Sequence, residues 1–217
     1  MRATLDKLIS WTGLLLAVVL LVAGGLLTWA NTFIGAQVEE QFSAQDITMP
    51  TQEAIDAQLE AGAISEDDAE ALEPFAGEAL DNGPAARAYS DHFILAHMNG
   101  GSYGLVETLE GMGVDTEGIE LPMTYSSAGD VAKAIEADET LSAEDKEAAV
   151  AAVNGFRSES LFKGNTLRGL LLYGYAFATI GTIAGIAAAV AFIGAVIMLL
   201  LGLLGLRHAK QAATAGV

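Results

Sequence analysis

A chain of 217 residues with a formal charge of −18 argues against nucleic acid and anionic lipid headgroups as partners, and for a basic protein surface or cations. It has no cysteine, so whatever folds here does so without disulfides. Its 52% apolar share is gathered into two uncharged stretches, Leu8 to Ile34 and Leu170 to Leu206. A bilayer core of about 30 Å is crossed by roughly 20 helical residues, so both stretches are long enough to span it.

The first expected span, residues 8–34, is bracketed by Trp11 and Trp29. Their 18-residue separation corresponds to about 27 Å of helix, which suits indole anchors at two headgroup regions. The competing reading is a signal peptide, with Arg2 and Lys7 as its charged region and Thr28-Trp29-Ala30 as a poor cleavage site. The length of the apolar run favours a retained anchor.

Residues 35–169 hold 27 of the 28 acidic side chains and six of the ten basic ones. Residues 1–7 and 207–217 carry Arg2, Lys7, Arg207 and Lys210 against Asp6 alone. Basic flanks stay cytoplasmic, so both termini are expected inside and the acidic domain outside the plasma membrane.

Within that domain Gln37 to Pro50 reads as a connector. Thr51 then caps a helix over Gln52–Ala61, and Ser65 with Asp68 resembles a capping box for Glu66–Leu72. Phe75-Ala76-Gly77 and Asp81-Asn82-Gly83 are turn material, and Pro84 suits the first turn of a helix to Met98. Gly100-Gly101 is expected to end it, with a short helix Tyr103–Leu109 beyond. Further helices are expected over Ser127–Ala137, Ser142–Val153 and Arg157–Leu172, and no strand. The fold class is thus an all-α membrane protein: two transmembrane helices with an acidic helical extracytoplasmic domain between them.

The uncharged run 170–206 is 37 residues, about 55 Å as a helix and longer than a bilayer core. Tyr173, Tyr175 and Phe177 are expected at its outer interface, with the crossing over Thr179–Leu203. Gly181, Gly185 and Ala189 recur at intervals of four, a spacing that lets helix backbones approach closely. They pack either on a partner or on the first span, where Gly24 and Gly25 would receive them.

Catalytic chemistry leaves little trace. His92 and His97 are five residues apart, off the spacing of helical metal pairs, and there is no HExxH. The acidic clusters Glu66-Asp67-Asp68, Asp138-Glu139 and Glu144-Asp145 match no EF-hand loop. With no ionisable group in mid-span, a channel or pump made of this chain alone is not expected.

Several short motifs occur in order: Phe75-Ala76-Gly77-Glu78, Asp81-Asn82-Gly83-Pro84, Ala88-Tyr89, Gly100-Gly101-Ser102-Tyr103, Asn154-Gly155-Phe156-Arg157 and Ser160-Leu161-Phe162. In this the chain resembles a group of small actinobacterial two-span membrane proteins often labelled aromatic ring-opening dioxygenases. Such dioxygenases hold iron with two histidines and a carboxylate, a set not visible here, so the resemblance implies a scaffold without a cofactor. It also implies an actinobacterial envelope, where small membrane proteins of this kind serve as accessory subunits of the respiratory cytochrome bcc–aa3 supercomplex. A non-catalytic accessory subunit touching respiratory cytochrome subunits or a basic electron-carrier domain is the expectation. A stand-alone surface protein binding a ligand or cation is the alternative.

Overall fold

The computed structural model describes residues 2–214, with side chains from 4 to 211; the expected terminal segments 1–7 and 207–217 lie partly outside the described residues. In chain order the helices are α1 (Arg2–Ser43), α2 (Gln52–Glu60), α3 (Glu66–Leu72), α4 (Gly83–Ala88), α5 (Leu95–Gly111), α6 (Tyr125–Ala137), α7 (Ala143–Gly155) and α8 (Lys163–Thr214). Two π-helical segments, π1 (Tyr89–Ile94) and π2 (Phe156–Phe162), join α4 to α5 and α7 to α8. Among the described residues there is no strand; Thr48 and Ala79 make a single antiparallel bridge. The chain divides into two compact units, Met1–Val38 with Phe177–Val217, and Glu39–Ala176.

The first unit is a pair of helices, each long and apolar enough to cross a membrane. Inside such helices hydroxyls have no water to bond, and they turn back to the backbone. Thr12, Thr28, Thr32 and Thr182 each donate to the carbonyl four residues earlier, at 2.8–3.1 Å. The outward faces carry exposed Leu15, Val18, Val22, Leu26, Ile183, Ile186, Val190 and Ile193.

The inward faces are built from small residues. On α1 the buried positions are Ser10, Ala17 and Gly24; on α8 they are Gly181, Ala188, Ala191, Ala195, Gly202 and Ala209. Both series step by seven, with Ala191 falling between two of the steps on α8. Seven residues drift by only about 20° around a helix, so the stripe stays on its partner as in a coiled coil.

α1 continues through Gln37 to Ser43 where a connector was expected, and the second unit begins within it at Glu39. The reason is Phe42, which is buried and sits so close to Gly174 that a Cβ there would overlap its ring. Asp46, at φ 52°, follows the helix end. The next segment is tied to the turn before α4, with Met49 N–H donating to Glu78 and Leu80 N–H to Ile47, both at 2.9 Å.

Local rules set the helix starts. Thr51 caps α2, and Ser65 caps α3 in a capping box whose third residue is Asp68. Asn82 accepts from Ala85 N–H at 3.0 Å to open α4, with Pro84 in its first turn. Thr124 and Ser142 cap α6 and α7. Around α2–α4 the side chains of Met49, Ile55, Leu72 and Leu80 are fully buried. Each contributes about 1.5–3 kcal/mol of transfer energy as an upper bound.

A second core gathers Met98, Leu105, Leu109, Ile135, Val153 and Leu161 from α5, α6, α7 and π2, with Met123 from the loop before α6. Here Gly100-Gly101 does not end a helix: α5 runs straight through it to Gly111. A Cβ on Gly101 would lie 2.8 Å from the Phe156 ring, so the glycine makes room for π2 within an unbroken helix. Gly113, at φ +80°, is where the backbone turns away. On the other side α7, π2 and α8 are continuous, consistent with a stretch before the second span that carries no helix breaker.

Candidate functional site: the helix seam and the acidic surface

In the helix pair, Gly181 is buried, and a Cβ there would meet Ile34 Cγ2 at 3.1 Å. Gly185 lies under the Asn31 amide, whose Oδ1 would be 3.1 Å from an added Cβ. Gly24 lies under the Phe192 ring at 2.9 Å by the same measure. Ala189 is exposed, and Gly25 has nothing within 4 Å. A step of four advances about 40° around the helix, so two steps carry Ala189 off the contact line that Gly181 occupies. Sequence inspection for small residues at four missed Ala195, Gly202 and Ala209, which a count at seven would have found.

Near the other end of the pair Ser10 is buried, and its hydroxyl donates to the Asp6 carbonyl at 2.6 Å. It faces Gly205, where no Cβ would fit, and Gly202, where a Cβ would lie 2.8 Å from Leu14. Of the expected interface aromatics, Trp11, Trp29 and Tyr173 are all well exposed, and Trp29 stacks on Phe33 at 5.5 Å. Tyr175 differs. Its hydroxyl accepts from Arg87 at 3.1 Å, and the guanidinium lies 5.2 Å from its ring centre.

That contact belongs to a polar knot in the second unit. Arg168 donates from Nε to the Ser90 carbonyl at 3.0 Å and from Nη2 to Asp91 at 3.2 Å, while Arg87 stands 3.8 Å from the same carboxylate. Ser90 is fully buried, and its carbonyl also accepts from the N–H of Leu95, the residue that follows π1. Nearby, His92 Nδ1 and Asp68 Oδ1 are 2.9 Å apart, joining π1 to α3. Burial works to raise the Asp68 pKa, but the Ser65 hydroxyl and amide and His92 outweigh it and hold the carboxyl below its usual value. His97 makes a local bond to the Phe93 carbonyl at 2.7 Å. Tyr89, Phe93 and His97 form a ladder of rings, with burial pushing the Tyr89 phenol up.

The motif segments around residues 100 and 156 meet in space. Phe156 fills Gly101, and Ser102 accepts from Met123 N–H at 3.1 Å. Arg157 stacks 4.0 Å above the Tyr125 ring, donates to its carbonyl at 3.0 Å and covers Gly129. Each of these groups is satisfied by its neighbours, which is how packing joints behave.

The remaining candidate is charge. Six basic residues cannot neutralise 27 acidic ones, so the second unit presents carboxylates to solvent. On α2, α3 and the turn after them Glu53, Asp56, Glu60, Glu66, Asp67, Glu70 and Glu73 are all exposed. A separate cleft of about 550 Å³ between α6 and the preceding loop is lined by Asp115, Glu117, Glu120, Asp130 and Asp138 among apolar neighbours. The hydroxyl and amide of Thr140 hold Asp138 below the usual carboxylate range, and Lys133 pairs with Asp130 at 3.0 Å. No group of three side chains among the described residues is placed to hold a metal ion. Set against known protein families, curated proteins and solved structures, the chain matches none.

Proposed function

We propose that this chain is a two-pass membrane protein that acts as a non-catalytic accessory subunit of a larger membrane complex. In this reading the acidic domain lies outside and holds a basic surface of a neighbouring subunit or a mobile electron-carrier domain. The actinobacterial respiratory bcc–aa3 supercomplex is the proposed host, on the resemblance described above.

The observation that carries the reading is the division of surfaces. One unit shows lipid-compatible side chains around an internally filled seam, and the other shows carboxylates far in excess of their internal partners. A seam shaped on both helices, with Gly24 cut for Phe192 and Gly185 for Asn31, supports α1 as a permanent half of the pair rather than a signal sequence. Long-range attraction to a basic partner follows from the charge and is screened by salt.

The test is purification through a C-terminal tag in mild detergent at low salt, with native gel migration and a visible absorption spectrum. A large species with haem bands, losing its partner as salt is raised, is the expected result. A small colourless species of one or two chains would sink the accessory role. The five-carboxylate cleft would then put a cation-binding surface protein first, and calcium should raise its melting temperature.

A further inference from the structure

Near the Asp6 end of the helix pair a lipid-facing groove of about 480 Å³ opens beside the line of closest approach. Its floor is Gly13 and Gly202, where the backbones run nearly in contact: a Cβ on Gly13 would meet Gly202 Cα at 3.9 Å. Its walls are Ile9 and Leu204, 68% and 60% exposed. Its end is polar, closed by Asp6 from α1 and His208 from α8.

Asp6 is half-buried, and among the described residues it has no salt-bridge partner. A carboxylate at the mouth of an apolar groove attracts a cation. The groove covers Asp6 to Gly13 on α1, about 10 Å of helix. That is short beside the roughly 20 residues of a spanning helix and suits part of one acyl chain.

The geometry points to a binding site for one phospholipid with a primary-amine headgroup: ammonium on Asp6, phosphate toward His208, and an acyl chain along Gly13 and Gly202. The site rests on the two-span reading. It gives the small residues at this end a second role beyond packing, since their missing side chains are what shape the groove.

The experiment uses the full chain made in membranes containing both phosphatidylethanolamine and phosphatidylglycerol. Carbonate extraction comes first, and a chain released into the supernatant overturns the two-span reading and this site with it. A chain kept in the membrane is taken into mild detergent for native mass spectrometry. One phosphatidylethanolamine per chain is expected, favoured over phosphatidylglycerol by about tenfold, the size of one charge-assisted bond. Ile9→Trp fills the groove from its rim, away from the seam, and should remove the lipid. Asp6→Asn should keep a lipid but bring the two headgroups to near parity. A membrane-embedded wild type that retains no lipid, or both lipids in the membrane's own ratio, overturns the site. So does an Ile9→Trp chain that binds like the wild type.

Discussion

The two units of this chain solve the problem of holding helices together in opposite ways. In the helix pair the solution is repetition: small residues every seven positions, with Gly24, Gly181, Gly185 and Gly202 each cut to a neighbour's outline. In the acidic unit it is a set of unrepeated joints, such as Phe156 in Gly101 and Arg168 on Asp91 and Ser90. A repeated seam spreads its energy over many weak contacts, as association in lipid requires. A domain in water has the hydrophobic effect for its bulk and uses polar joints to fix one arrangement.

That contrast predicts a ranking of damage. The largest loss should follow Leu72→Ala or Leu109→Ala, both fully buried, at about 3 kcal/mol and a fall of roughly 10 °C in the full chain's melting temperature in mild detergent. Gly101→Val forces a side chain into the Phe156 ring and should cost about 2 kcal/mol by the same measurement. Finding Gly101→Val neutral would mean that the glycine is not a joint.

In the helix pair single changes should be milder and should depend on register. Since the chain has no cysteine, an introduced pair reports on one contact alone. Ser10→Cys with Gly205→Cys should cross-link readily under mild oxidation, whereas Gly25→Cys with Ala189→Cys should not. Equal cross-linking of both would refute the seven-residue seam.

A smaller effect concerns pH. The folded pKa of Asp68 is below its unfolded value, so its contribution is complete above the unfolded carboxylate range and is lost as pH falls through the folded value. Asp68→Asn should therefore lower stability at neutral pH and flatten the acid limb of the melting curve between about pH 5 and pH 2. The smallest change is expected for Lys133→Ala, whose pair with Asp130 is exposed, at less than about 0.5 kcal/mol.

What the sequence made legible was what local chemistry decides. Charge-free runs marked both long helices, and Thr51, Ser65, Asn82-Gly83-Pro84 and Ser142 marked helix starts that the structure has within a residue or two. What stayed hidden depends on a partner distant in the chain. Gly100-Gly101 reads as a break because Phe156, the reason for Gly101, is 55 residues away. The stripe on α8 reads equally at four or seven until α1 shows which residues it touches. The π segments carry no composition of their own. The extra helix from Gln37 to Ser43 follows from Phe42 meeting Gly174, a contact no local rule announces.

The seam also sets a schedule for biosynthesis. Its two halves are separated by the 138 residues from Glu39 to Ala176. At about 5–20 residues per second the ribosome needs roughly 7–30 s to make them. Throughout that interval α1 has left the tunnel with Ser10, Gly24 and Asn31 facing whatever surrounds it. A chain stalled before Phe177 should therefore be degraded faster than one that has delivered α8.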